Sequence, residues 1–356
     1  MKKVALATLM IEKRIAHADH VLTGMPGERQ LAEELGMSRR TIRTAVQELV
    51  TRGVLIRHEN GRLDVPAFED EQCRTKVIGF ATAAMASADI DLWREGVVGA
   101  LEGQNVTIRP VAYSHWADPA LQEALLHLDG VFLLVPAEKV PSWLTKKIVV
   151  NRLRVVILDQ DESHAGLPSV TLFPPTAEDK LFDHLVKLGH QRIDCLNTQA
   201  EDAVIKGRIA AWREYLDLYN LPGQLRSLTM YKPLETAYRV VRDALKEGEP
   251  VASALFCTTG PAAMGAMRAL HEAGLEIGVD VSVCAVNGEG LGQYLLRSLT
   301  ELASPSRTFY LRHAAEWMIG KREWQGPLLI QPTDVQLFEG ESTGPAPVLP
   351  FVTLGK

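Results

Sequence analysis

The chain has 356 residues, 46% of them hydrophobic and 23% charged, and at roughly 100–200 residues per domain this suggests two or three domains. Its four cysteines (Cys73, Cys195, Cys257 and Cys284) lie far apart with no Cys-x-x-Cys pair, which excludes a disulfide scaffold or a zinc ribbon. No apolar h-region follows Met1 and no run of about 18 uncharged apolar residues occurs, so neither a secretory signal nor a membrane span is predicted and a cytoplasmic location is expected.

The formal charge of −6 is unevenly placed. Residues 1–65 hold eleven basic and eight acidic side chains, the remainder 27 basic and 36 acidic. A basic module on an acidic body is the asymmetry expected where one end meets a polyanion, although ordinary surface scatter produces it too.

In chain order, residues 4–18 carry apolar groups at Leu6, Leu9, Met10, Ile15 and Ala16 and predict a supporting helix. Leu31, Ala32 and Leu35 define one face of a second helix over 28–35, which Gly36 ends. Ser38 stands at an N-cap position, and a third helix is predicted over about 39–52 with Ile42, Val46, Leu49 and Val50 as its apolar stripe. Arg39, Arg40, Arg43 and Gln47 lie off that stripe. Two short helices joined through a glycine turn, the second basic at its start, make a helix-turn-helix. After Gly53, two β-prone runs flank Asn60-Gly61, a hairpin signal that predicts a wing.

The stretch PGERQLAEELGMSRRTIRTAVQELVTRGVLIRHENGRL (26–63) resembles the GntR family of winged-helix regulators. The resemblance implies that Arg29 contacts phosphate or base, that Ser38, Arg39, Arg40, Thr41 and Arg43 line the recognition helix, and that the wing tip, Asn60-Gly61, enters the minor groove. The chemistry agrees: a helix N-terminus offers free N–H groups to phosphate, hydroxyls add donors, and Arg39 or Arg43 can fork onto guanine. Double-stranded operator DNA is the implied partner.

Residues 66–75 begin with proline, are acid-rich and lack apolar periodicity, which predicts a linker. The body, 76–356, then alternates apolar runs (77–82, 131–135, 155–158, 193–196, 254–257, 281–286) with amphipathic helices (92–102, 120–127, 177–188, 206–219, 237–246, 262–273). This β-α alternation predicts an α/β fold with parallel sheets covered by helices on both faces, and its length suits two doubly wound lobes.

The landmarks VVILDQ (155–160), LPSV (167–170), HLVKLGHQRI (184–193), KGRIAAWREYL (206–216), CTTGPAAMGAMRAL (257–270), EIGVDVSVCAVN (276–287) and EGEST (339–343) resemble the LacI/galactose-repressor effector domain, a relative of periplasmic sugar-binding proteins. The resemblance implies an effector in the cleft between two lobes and a homodimer joined through the body. Asp159 and Arg208 keep the family's polar anchors. The usual Asn-Asp is Thr259-Gly260, the Asp ending the late strand is Asn287, and the expected Asp-Asn is Phe173-Pro174. A recut pocket is therefore expected, for a sugar or a less polar or acidic ligand, or else a cleft that senses nothing. Tyr231 is a candidate for stacking on the ligand. Trp93 is a candidate for the cleft mouth or the core, as is Phe80, while Trp212 and His190 are expected to be structural.

Nucleophile-elbow, Walker, dinucleotide-binding and His-Glu-x-x-His motifs are absent, and the ten histidines are dispersed. No enzyme, cofactor or metal is therefore expected. The sequence points to a repressor of carbohydrate use, with an effector-blind repressor or a sensor of a non-sugar acid as the alternatives.

Overall fold

A computed structural model describes residues 2–16, 24–66, 74–84, 87–135, 138–228, 232–348 and 351–352. The N-terminal module comprises α1 (Lys2–Ala16), α2 (Glu28–Glu34), α3 (Arg39–Thr51) and a hairpin of β1 (Ile56–Arg57) with β2 (Leu63–Asp64). The stripes of α2 and α3 meet as expected, Leu31, Ile42, Val46 and Leu49 packing with Leu63 into one core. However, α1 enters that core through Ala7 and Ile11, and the expected Leu6, Leu9 and Met10 are exposed because they lie on the other side of the helix. Ser38 caps α3, its Oγ accepting from the Thr41 N–H at 3.2 Å. The hairpin strands are two residues each. Gly61 (φ +81°) closes a turn from His58, so Asn60-Gly61 sits one step later in the loop than the middle of a two-residue turn.

Two six-stranded sheets build the body. The first lobe orders its strands β14-β7-β6-β5-β3-β4, all parallel: β3 (Lys76–Ala83), β4 (Val106–Tyr113), β5 (Gly130–Leu134), β6 (Val155–Leu158), β7 (Ser169–Val170) and β14 (Leu329–Ile330). The second orders them β15-β13-β12-β11-β8-β9: β8 (Asp194–Asn197), β9 (Leu225–Ser227), β11 (Ala254–Cys257), β12 (Ser282–Val286), β13 (Thr300–Leu302) and β15 (Leu337–Phe338). This sheet is parallel except for β15, which enters antiparallel against β13. A separate antiparallel pair joins β10 (Val251–Ala252) to β16 (Phe351–Val352).

Strands such as β5, β6 and β12 are buried at every position, because helices cover both faces of each sheet. In the first lobe α4 (Ala88–Ala100) and α11 (Arg307–Met318) pack one face, α5 (Pro119–His127) and α6 (Ser142–Val150) the other. In the second, α7 (Asp179–Lys187) and α8 (Ala203–Tyr219) oppose α9 (Pro233–Lys246) and α10 (Gly260–Glu272). The chain passes between lobes three times, at 171–178, 303–306 and 331–336. His190 sits buried in the scaffold, hydrogen-bonded to Ser253, Ser282 and the Gly344 carbonyl. Trp93, Trp212 and Phe80 are all core residues.

The apolar runs do not signal β4, whose Arg109 and Pro110 interrupt the pattern. The strand lies at the sheet edge, where a missing N–H costs no ladder bond.

Candidate functional site

The carboxyl ends of the two parallel sheets face one another, and the loops leaving them bring the charged groups together. Asp159 follows β6 with a left-handed backbone (φ +67°), a conformation that Asp tolerates better than most residues. Phe173 follows β7, and Arg208 rises from the second turn of α8. Asn287 (φ +55°) and Glu289 (φ +53°) follow β12. Asp159 and Phe173 thus stand past the ends of neighbouring strands of the first sheet, while Arg208, from α8, and Asn287, past β12, come from the second lobe.

Arg208 is buried and pre-positioned. Its Nη1 donates to the Thr258 carbonyl at 2.8 Å, its Nε lies 3.8 Å from Glu178, and its guanidinium stands 5.7 Å from the centre of the Phe173 ring. The Nε has no hydrogen-bond partner within 3.5 Å, a buried donor left for something else. Thr259 caps α10, its hydroxyl accepting from the Ala262 N–H. Gly260 has a steric reason: a Cβ there would lie 2.6 Å from the Asn287 carbonyl, to which the Gly260 N–H donates.

Sequence reasoning misses half of the cleft. Asp89, at the start of α4, accepts from Arg307 Nη2 at 2.5 Å and from Asn287 Nδ2 at 2.9 Å, the latter bond running from one lobe to the other. Arg307 also donates to Ser304 and lies 5.2 Å over Trp93. Glu178, Asp202 and Glu289 complete the ring. Asp202 is legible in retrospect as the N-cap of α8, where its Oδ1 accepts from the Ile205 N–H. Arg307 belongs to α11, a helix that the periodicity reading does not reach.

Burial pushes Asp159 up to about 7, Asp89 adds to the rise, and Arg208 and Arg307 oppose it. Glu289 is also pushed up to about 7 by burial and by Asp89. Burial raises Glu178 and Asp202 as well, with Arg208 pulling both back. Five carboxyl groups therefore surround two guanidinium groups, and each guanidinium already has a carboxylate beside it. Such a ring suits hydroxyl groups, which donate to carboxylates and accept from arginines. Tyr231 lies outside the described residues.

The DNA-facing candidates form a second, separate surface. Arg39 and Arg40 are exposed at the start of α3. Arg29 pairs with Glu33 and Arg43 with Glu28, each at 3.2 Å on the open surface, where such pairs exchange readily for a phosphate. The Ser38 and Thr41 hydroxyls share a 2.8 Å hydrogen bond. Asn60 is spent on its own turn, its Oδ1 accepting from the Arg62 N–H.

Fold and sites together define a winged helix-turn-helix joined to a two-lobed, three-crossover α/β body. Residues 10–65 match the model of the gntR family of bacterial regulatory proteins, and residues 182–342 match the periplasmic binding protein-like domain. The N-terminal module is thus a GntR-type domain and the body is LacI-like. The chain is 26% identical over 161 residues to the HTH-type transcriptional repressor PurR of Vibrio atlanticus, covering 41% of this chain and 48% of that protein. It is 32% identical over 101 residues to the lactose operon repressor of Escherichia coli K12, covering 28% of each. The chain therefore spans about half, or less, of these curated relatives. A LacI-family regulator from Enterococcus faecium, solved with bound ribose, superposes with a TM-score of 0.65 at 19% identity, covering 76% of this chain and 99% of that one. Among the described residues no helix is long and apolar enough to cross a membrane, and no cluster of metal-ligating side chains occurs.

Proposed function

We propose that this protein is a transcription repressor whose grip on operator DNA is set by a small hydroxyl-rich molecule, of the carbohydrate class, held between the lobes. The observation that carries the reading is the pairing of a basic, N-capped recognition helix with a cleft where Arg208 keeps a buried, unmatched Nε among carboxyl groups. The relatives named above are transcriptional repressors, and one solved relative holds ribose in the same fold. The role is regulatory rather than enzymatic. Arg29, Arg39, Arg40, Arg43, Ser38 and Thr41 would meet DNA, with the wing tip at Asn60-Gly61 beside them. Two copies joined through their bodies would read a palindrome. Asp159, Arg208, Asn287, Phe173 and, through its N-cap loop, Thr259 would line the effector. A strongly acidic effector is disfavoured, because it would meet Asp159, Asp202 and Glu289 beyond the two carboxylates that the arginines already neutralise.

The test is thermal unfolding of the full chain against pentoses, hexoses, sugar acids and sugar phosphates. A ligand at 100 times its dissociation constant adds about 2.7 kcal/mol, and the shift should vanish in Arg208→Ala. One observation favours an effector-blind repressor instead: the Asn287–Asp89 bond already ties the lobes together. Flat melting curves across the whole panel would select that reading, and a response only to sugar acids or phosphates would overturn the polarity argument.

A further inference from the structure

A second cavity, of about 690 Å3, lies at the far end of the first lobe from the cleft. It is bounded by the amino-terminal ends of β3, β4, β5 and β6 and by the end of α11. Arg74, Lys76, Arg154 and Lys321 line it, against a single acid, Asp129. That acid is already engaged: its Oδ2 accepts from the Val77 N–H at 2.7 Å, and its Oδ1 pairs with Arg74 and lies 3.8 Å from Lys76. Arg154 is held rigid, its Nη1 donating to the Trp317 and Met318 carbonyls at 2.9 and 3.3 Å. Satisfying the last turn of α11 accounts for one edge of Arg154. It does not account for Lys321, or for Arg74 and Lys76 sharing the one carboxylate of the lining, on a body whose overall charge is negative.

The position of this hollow adds a second argument. Arg74 is eight residues beyond Pro66, so even a fully extended chain separates the two by no more than about 29 Å. The Thr107 hydroxyl, one residue past the cavity wall at Val106, donates to the Ala16 carbonyl at the end of α1. The basic hollow is therefore beside the root of the DNA-binding module.

We propose that this hollow binds a phosphate group, supplied either by the DNA backbone flanking the site held by the winged helix or by a free phosphorylated small molecule. A rigid guanidinium fork with neighbouring ammonium groups is suited to tetrahedral oxyanions. The site is independent of the effector cleft, and only its DNA source rests on the regulatory reading above.

The test uses the full chain, the double variant Arg74→Gln with Lys321→Ala, and Arg40→Ala as a recognition-helix control. Affinity for an arbitrary duplex of about 30 base pairs is measured between about 50 and 200 mM KCl. If backbone phosphates enter the hollow, the log–log salt slope should shrink by about 2 in the double variant and by about 1 in Arg40→Ala. In parallel, melting is followed in potassium phosphate against KCl at equal ionic strength. A phosphate-specific rise in Tm that the double variant loses, with an unchanged slope, assigns the hollow to a free phosphate ester. An unchanged slope with no phosphate-specific rise overturns the proposal. Failure of the wild type to bind any duplex would instead remove the regulatory reading and leave the melting arm to decide.

Discussion

The two arginines of the cleft are braced in opposite ways. Arg208 takes its polar contacts from its own side of the molecule, Glu178 and the Thr258 carbonyl, with only the Phe173 ring reaching it from the crossover after β7, and would keep its place whether the lobes were open or closed. Arg307 holds Asp89, and Asp89 in turn accepts from Asn287 across the gap. The first arrangement suits a fixed ligand anchor. The second is a latch whose integrity depends on how the lobes sit, so under the function proposed above the same residue types would serve recognition at one wall and closure at the other.

Removing the anchor should have the largest effect. Arg208→Ala leaves Glu178 buried without its cation, and losing one partner of a buried pair costs about 3 kcal/mol at neutral pH. The loss should shrink in acid, because Glu178 is already raised by burial and can take up a proton. Denaturant unfolding at two pH values reads both effects. A loss below about 1 kcal/mol at neutral pH would mean that Arg208 is not buried as tightly as its contacts indicate.

The latch should yield less. Asn287→Asp keeps the size of the side chain and a residue type at ease with positive φ, but it turns a 2.9 Å hydrogen bond into a facing pair of carboxylates. A hydrogen bond to a charged group contributes roughly 2 kcal/mol, and its loss should separate the lobes. The radius of gyration from solution scattering should rise with no change in the N-terminal module. An unchanged radius would show that the crossovers, not the latch, hold the lobes.

Much of this contrast is hidden in the sequence, for identifiable reasons. Most of the winged helix is legible, because capping at Ser38, the 3.6-residue stripe of α3 and the wing hairpin are local signals. The buried face of α1 is not, since Ala7 and Ile11 face the core where Leu6, Leu9 and Met10 are exposed. The buried strands are legible because burial on both faces leaves continuous apolar runs, as in VVIL and VSVCAV. The anchor is half legible: Asp159 follows a recognisable strand and Arg208 sits in a recognisable helix, while Glu178 gains its meaning only from a contact 30 positions away. Of the latch only Asn287 is legible, and its partners are not. Asp89, Asn287 and Arg307 are 198 and 218 positions apart in the two bonds that join them, and no periodicity links a loop to the starts of two helices.

The smallest expected effect separates anchor from latch by pH. Asp159 and Glu289 both rise to about 7, and in both the Asp89 charge is the next cause after burial. Their folded values exceed the unfolded ones, so the native chain binds more protons than the unfolded chain. Their contribution to stability is fully present below the ordinary carboxylate range and is lost as pH rises toward about 7. Asp89→Asn keeps an acceptor for Arg307 but removes the like charge. It should flatten that decline by on the order of 1 kcal/mol, the worth of about one pKa unit. Other carboxylates titrate in the same window in both proteins, so the difference between the two pH curves, not either curve alone, carries the result. Superimposable curves would place Asp89 outside the electrostatic reach of Asp159 and Glu289, and the latch would then be a hydrogen-bonding device with no hold over the charge of the cleft.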